Sequence, residues 1–176
     1  QRSDDFSTFT KRIIQEMPVL QHLRAREDQR NSNVAFDVAP SRASHAPSVK
    51  SVGITGQIVG SRAHVIIADD VEVLSNALTQ VMRDKLGEVV KEFDAVVMPK
   101  VGRIVYFGTP QVEESLYSNL QSRGYECRIW PARMPESRLK TFYGTKLAPY
   151  IDKLSLTVGE PTDPERFDDL DLTERE

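Results

Sequence analysis

Two adjacent carboxylates, Asp69 and Asp70, offer the clearest chemistry in this sequence. They directly follow the apolar run Val65-Ile66-Ile67-Ala68, which is typical of a buried strand in a parallel sheet. Open α/β sheets bind ligands at the carboxyl ends of their strands. At that edge one carboxylate can hold Mg²⁺ while the other orients a water molecule, as in a Walker B motif. The simpler alternative is that both aspartates only cap the helix that follows.

A polar residue of a second strand is expected beside this acidic pair, Asp69 and Asp70. The apolar run Arg103–Phe107 predicts that strand, and Gly108-Thr109-Pro110 ends it. Because one helical crossover separates the two strands, they should be parallel neighbours, with Asp69 and Thr109 at the same edge of the sheet. Thr109 could then sense a terminal phosphate or an attacking water. Taken alone, Gly-Thr-Pro is also an ordinary strand-ending turn.

The segment 53–62, which precedes the acidic strand, contains three glycines. It lacks the Gly-Lys-Ser/Thr ending with which a P-loop holds phosphates and Mg²⁺, so it predicts no such loop. Arg62 should lie at the opposite edge of the sheet from the acidic pair. An arginine there could serve the nucleotide of a neighbouring subunit, although most exposed arginines have no such role.

The order of strands and helices predicts an α/β fold with a mostly parallel sheet flanked by helices. Apolar residues at helical spacing predict five helices, over 4–17, 75–93, 111–122, 139–143 and 147–154. Runs of β-forming residues predict five strands, over 33–38, 49–54, 65–69, 103–107 and 125–130. Gly124 should stop the third helix, and Asp163-Pro164 is a helix start signal.

Composition excludes several classes of protein. The chain has 176 residues, 39% of them hydrophobic, which suits one domain with a real core. A net charge of −3, concentrated in an acidic tail, gives no support to tight nucleic-acid binding through a basic surface. A single cysteine, Cys127, excludes an internal disulfide and favours a reducing compartment. No membrane segment or signal peptide is visible, and Gln1 in place of Met suggests a piece of a longer protein.

Four stretches together resemble the large terminase subunit of tailed double-stranded DNA phages, most closely the DNA maturase B type of short-tailed phages. In chain order they are GITGQIVGSRAHVIIADDVE, RIVYFGTPQVEESLY, RGYECRIWPARMP and PTDPERFDDLDLTERE. The resemblance covers most of residues 30–176. It implies a fold similar to the additional-strand P-loop NTPases and a part in the ATP-driven motor that moves DNA into the procapsid.

The resemblance also implies roles for single residues. Asp69 would be the Walker B carboxylate that binds Mg²⁺, and Asp70 the catalytic carboxylate, with Glu72 as the alternative for that second role. Thr109 would belong to the motif that couples hydrolysis to movement, with Gly108 beside the nucleotide. Arg62 would be the arginine that acts in trans.

In that family the Walker A loop and adenine-binding segment lie upstream of these motifs, and an RNase H-like nuclease lies downstream. We therefore expect residues 1–158 to be part of the ATPase domain and 159–176 an acidic linker. Mg²⁺ and ATP would be cofactors of the intact protein, and neither should bind tightly to this part alone. The implied partners are double-stranded DNA, the portal, the small terminase subunit and further copies in a ring, in the host cytoplasm and without a membrane.

Two other interpretations are open. The acidic strand is similar to the first strand of a phosphoacceptor receiver domain, a signalling module whose paired acids bind Mg²⁺. The next strand of a receiver, here 94–98, should end in the phosphate-accepting aspartate, but position 99 is Pro, and a receiver should begin nearer its acidic strand. The chain could also be a non-catalytic assembly piece that uses an α/β core as a scaffold.

Overall fold

The computed structural model describes residues 2–56, 58 and 60–175, and it divides into two compact units, Gln1–Tyr117 and Ser118–Glu176. Two residues of the glycine-containing segment 53–62, Gln57 and Val59, lie outside the described residues. The helices and strands are α1 (Arg2–Glu16), a 3-10 helix (Pro18–Leu23), β1 (Ala35–Phe36), β2 (Val49–Lys50), β3 (Val65–Asp69), α2 (Leu74–Ala77), α3 (Gln80–Val96), β4 (Arg103–Phe107), α4 (Leu116–Ser122), α5 (Ser137–Tyr143), 3-10 helices at Gly144–Lys146 and Ile151–Lys153, and α6 (Asp169–Thr173).

The parallel pair β3 and β4 is the centre of the first unit. It runs in register from Val65 opposite Arg103 to Asp69 opposite Phe107. Just before β3, the Ala63 amide donates to the Val96 carbonyl, which brings the end of α3 alongside. The predicted neighbourhood of the two strands is confirmed, and so is an α/β fold with a parallel sheet and flanking helices.

Helix α3 covers one face of this sheet. Its buried residues recur at helical spacing: Leu86, Val90, Phe93 and Val96. The Phe93 ring stacks on Tyr106 of β4 with the ring centroids 6.0 Å apart. The predicted helix over 75–93 is present but divided, because Thr79 is extended and its side chain caps α3 by accepting a hydrogen bond from the Met82 amide.

The opposite face of the pair is apolar and open in the described part of the chain. Side chains of a strand alternate between faces, so Val65 and Ile67 lie opposite to Ala68, which is buried. Val65 and Ile67 are 55% and 52% exposed. Only one face of this sheet is therefore covered by the described residues.

Several predicted elements are shorter than expected or wrong. The strand expected at 125–130 is absent, because Ile129 makes only an isolated bridge to Leu147. In place of the strand at 94–98 that a receiver domain requires, residues 94–96 end α3 and Val97 makes only an isolated bridge to Ala63, which counts against that interpretation. Helix 111–122 begins only at Leu116, although it stops as predicted at Gly124, whose φ is +92°.

The strands over 33–38 and 49–54 shrink to β1 and β2, which pair antiparallel. The helix over 139–143 is confirmed within α5, whereas 147–154 forms only the short 3-10 helix Ile151–Lys153. Asp163-Pro164 starts a single turn. Helix α6 begins later, because Asp168 provides its cap and accepts a hydrogen bond from the Asp171 amide.

The predicted helix over 4–17 is confirmed as α1, but its buried face differs from the expected one. Ser7 and Ile14, which lie two turns apart, are buried, and the Ser7 hydroxyl donates to the Asn33 carbonyl. Apolar residues at helical spacing, Phe6 and Phe9 among them, predict a helix with one apolar face, but Phe6 and Phe9 are exposed. The polar Ser7 is placed inside because a backbone acceptor of the facing loop satisfies its hydroxyl.

The second unit has its own small core of Met134, Leu147, Ala148 and Ile151. The start of the acidic tail folds into this unit: the Thr162 amide donates to the Ala132 carbonyl, and Arg133 forms an ion pair with Asp169. The assignment of 159–176 as a linker in an intact protein stays a prediction. Among the described residues, the helices are all too short or too polar to cross a membrane.

The cover that α3 gives the sheet can be tested with two valines of this helix. Val90 is 1% exposed and Val81 is 77% exposed. Val90→Ala should lower the free energy of unfolding by about 2 kcal/mol, because it removes two buried methyl groups and leaves a cavity. Val81→Ala, the matched control, should change it by less than about 0.5 kcal/mol. Urea denaturation of the two variants measures both values, and equal effects would contradict this packing.

Candidate functional site

The candidate site lies at the carboxyl edge of the β3–β4 pair. Asp69 is the last residue of β3 and is directly opposite Phe107, the last residue of β4. The ladder continues one step further, because the Asp70 amide donates to the Phe107 carbonyl at 2.9 Å. The acidic pair and the Gly108-Thr109 dipeptide therefore leave the sheet together. The side chains of Asp69, Asp70 and Thr109 are all exposed.

Asp70 has an unusual backbone conformation. Its φ is +44°, in the left-handed region that few residues other than glycine adopt, although aspartate tolerates it better than most. Conformations of this kind cluster at functional sites, where the surrounding structure holds them in place. Asp70, to which the resemblance assigns the catalytic carboxylate, is thus also the residue at which the chain turns away from the sheet.

Glu72, the other acid considered for catalysis, has a different environment. Its side chain is only 2% exposed. One carboxylate oxygen accepts hydrogen bonds from the Gln111 amide and the Ser115 hydroxyl, both at 2.9 Å, and the other accepts from the Leu116 amide at 2.6 Å. A carboxylate so enclosed is satisfied by protein donors and does not face solvent.

Gly108 is in close contact with the end of the Tyr117 side chain, which any larger residue at this position would displace. A Cβ atom at this position would lie 1.8 Å from the Tyr117 hydroxyl oxygen, well inside any allowed contact. The Tyr117 hydroxyl donates to the Phe107 carbonyl at 3.3 Å. Burial raises the pKa of Tyr117, and the charges of Glu72, Asp70 and Asp69 raise it further. Tyr117 therefore lies in the electrostatic field of the acidic pair.

Arg62 is not part of this cluster. It lies before β3, so its Cα is roughly 20 Å along the extended chain from the acidic pair. Its guanidinium donates to the Ala95 carbonyl at 2.5 Å, near the end of α3. The structure thus brings together Asp69, Asp70, Gly108 and Thr109, and it places Arg62 at the opposite edge, as the sequence predicted.

The acidic pair suits Mg²⁺ better than a metal ion whose ligands all come from the protein. In the described part of the chain, no group of three or more His, Cys, Asp and Glu side chains is placed to hold a metal ion. Mg²⁺ differs from most metals in that it commonly binds one or two carboxylates and completes its shell with water and substrate phosphates. Two exposed carboxylates at a sheet edge fit that donor set.

Two features of the site were not predicted from the sequence, namely Tyr117 as the cover of Gly108 and Glu72 as the acceptor for the β4–α4 connection, residues 108–115. Tyr117 ends the stretch RIVYFGTPQVEESLY, but nothing in that stretch predicts its contact with Gly108. The sequence predicts Glu72 only as a possible catalytic acid. Its partners Ser115 and Leu116 lie more than 40 residues away, and no helical or strand spacing connects them to it. A serine just before a helix was the only available signal.

Comparison with known proteins gives one informative relative. No protein-family model matches the chain. The large terminase subunit of Enterobacteria phage T3 is 50% identical over an alignment of 184 residues. That alignment covers 100% of this chain and 31% of the relative, so the chain spans less than a third of the length of that protein. Such identity along the entire chain shows common ancestry, so the chain is a homologue of part of that large terminase subunit.

Proposed function

We propose that this chain is part of the ATP-hydrolysing engine of a phage DNA-packaging motor. The observation that carries the proposal is the in-register parallel pairing of β3 and β4, which sets Asp69, Asp70 and Thr109 at one sheet edge. The likeness to a large terminase subunit supports the same conclusion. In this role the chain supplies the carboxylates and the sensor residue, within a fold of the P-loop NTPase type.

Each residue of the edge has a proposed role. Asp69 would hold Mg²⁺ through its carboxylate, and Mg²⁺ would supply charge neutralisation at the phosphate oxygens of ATP. Asp70 would orient the attacking water and accept its proton. The burial of Glu72 supports Asp70 in this role, since a catalytic base must reach a water molecule. Gly108 leaves room at this edge for the Tyr117 side chain, and the Thr109 hydroxyl would sense the terminal phosphate.

The same proposal assigns a place in the intact protein. Residues 1–158 would form a later part of the ATPase domain, and a Walker A loop outside this sequence would hold the triphosphate. Double-stranded DNA, the portal, the small terminase subunit and further copies in a ring would be the partners, in the host cytoplasm. Arg62, on the edge away from its own acidic pair, would reach the nucleotide of a neighbouring copy. A non-catalytic assembly role is the alternative, and it requires nothing of the acidic pair.

If ATP binding requires a Walker A loop outside this sequence, this chain alone should bind ATP weakly. Calorimetry with ATP and Mg²⁺ should detect little heat, because the sequence has no Gly-Lys-Ser/Thr ending to hold the phosphates. ATPase activity should likewise be negligible. A dissociation constant below about 1 μM, or more than about 8 kcal/mol of binding free energy, would mean that these residues contain a phosphate site of their own.

The roles of the acidic pair can be separated in the intact terminase. Asp70→Asn should lower kcat for ATP hydrolysis roughly 100- to 10,000-fold with little change in ATP affinity, because the amide keeps the shape but accepts no proton. Asp69→Asn should also weaken Mg²⁺-dependent ATP binding. The exposed Asp28→Asn serves as the control for loss of one negative charge. Wild-type hydrolysis by Asp70→Asn would favour the assembly role.

Arg62 can be tested by mixing subunits of the intact terminase. Arg62→Ala subunits and Asp70→Asn subunits should each be inactive. Mixed assemblies should recover part of the hydrolysis, because some interfaces then combine an intact Arg62 with an intact Asp70. Mixtures that assemble by light scattering yet recover no hydrolysis would leave Arg62 with its structural bond to the Ala95 carbonyl as its only role.

A further inference from the structure

Glu72 is the only charged residue among the fully buried ones in the part of the chain that the structure describes. A buried carboxylate loses its hydration, so it is tolerated only where protein donors replace the lost water. Here three donors do so, the amides of Gln111 and Leu116 and the hydroxyl of Ser115. All three belong to one short stretch of chain, from the β4–α4 connection to the first residue of α4.

These hydrogen bonds join the two segments that carry the candidate site. Glu72 lies two residues after Asp70, and Gln111 lies two residues after Thr109. Ser115 also accepts a hydrogen bond from the Tyr117 amide at 3.1 Å, and Tyr117 covers Gly108. Beyond the sheet, the carboxylate of Glu72 thus links the segment that follows β3 to the segment that follows β4 by hydrogen bonds.

We infer that Glu72 is a positioning residue, whose carboxylate fixes the β4–α4 connection, and with it Thr109, relative to the acidic pair. The inference rests on the proposed ATPase function and adds a residue to it. Beyond the pair Asp69 and Phe107, the sheet adds only the hydrogen bond from the Asp70 amide to the Phe107 carbonyl, so it does not by itself set where Thr109 lies. Glu72 acts on the reaction through Thr109, and it touches neither the nucleotide nor the water.

A carboxylate is the group that fits this position. Three converging donors need an acceptor with two oxygens and no hydrogen of its own. In Glu72→Gln one oxygen would be replaced by an NH₂ group, and that donor would face either the Leu116 amide or the pair formed by the Gln111 amide and the Ser115 hydroxyl. At least one donor would then lose its partner.

The test uses the intact terminase and separates kcat from KM. Glu72→Gln should lower kcat for ATP hydrolysis roughly 10- to 100-fold, because small displacements of a positioned group cost rate steeply, while KM for ATP changes less than about threefold. Glu113→Gln, an exposed acid of the same connection, is the matched control and should keep the wild-type kcat. Circular dichroism and thermal unfolding establish that both variants are folded.

A double-variant cycle with Thr109→Val supplies the readout that general loosening of the fold would not give. If Glu72 acts through Thr109, the double variant should be no slower than the slower single variant. If the two effects multiply, or if folded Glu72→Gln keeps the wild-type kcat, the inference is overturned. If Glu72→Gln does not fold, Ser115→Ala replaces it in the same cycle. It removes one of the three bonds to Glu72, together with the acceptor of the Tyr117 amide, and leaves the amides of Gln111 and Leu116 bonded to Glu72.

The failure of the proposed function has a different signature. If Asp70→Asn hydrolyses ATP at the wild-type rate, the proposed function is wrong and the inference fails with it. If Asp70→Asn is inactive while Glu72→Gln behaves like Glu113→Gln, only the positioning role is wrong.

Discussion

The in-register parallel pairing of β3 with β4 is the interaction on which the candidate site depends. Parallel strands need a long crossover, and α2 and α3 provide it. The buried stripe of α3 then covers one face of the pair and stacks Phe93 on Tyr106. Because both strands run the same way, every group that follows them emerges at one edge. The exposed carboxylates of Asp69 and Asp70 and the hydroxyl of Thr109 therefore lie at the same edge.

The acids beyond β3 differ in environment although they are close in sequence. Asp69 and Asp70 are exposed, and Asp70 takes a left-handed conformation at the turn. Glu72 is enclosed by three protein donors, two of them in the β4–α4 connection and the third at the first residue of α4. Burial with full hydrogen bonding suits a carboxylate for holding structure, whereas exposure suits one for meeting a ligand or water. Carboxylates that lie within four residues of one another therefore have opposite environments.

The chain is related to part of a large terminase subunit. The chain matches 31% of that relative. The open face of β3, where Val65 and Ile67 are about half exposed, is an apolar surface of the kind that sheets usually cover. The receiver interpretation is disfavoured for a structural reason, because residues 94–96 end a helix where that fold needs a strand.

The sequence by itself determined the features that depend on local pattern: β3 and β4, the apolar stripe of α3, the stop at Gly124 and the shared edge of Asp69 and Thr109. Periodicity and the crossover rule are sufficient for these, since each involves neighbouring residues or one connection. Tertiary structure decided what depends on distant partners. The Leu116 amide, at the start of α4, donates to Glu72. The Tyr117 side chain covers Gly108. Ile129 forms an isolated bridge where a strand was predicted. Such contacts join residues far apart in the chain, and no spacing in the sequence encodes them.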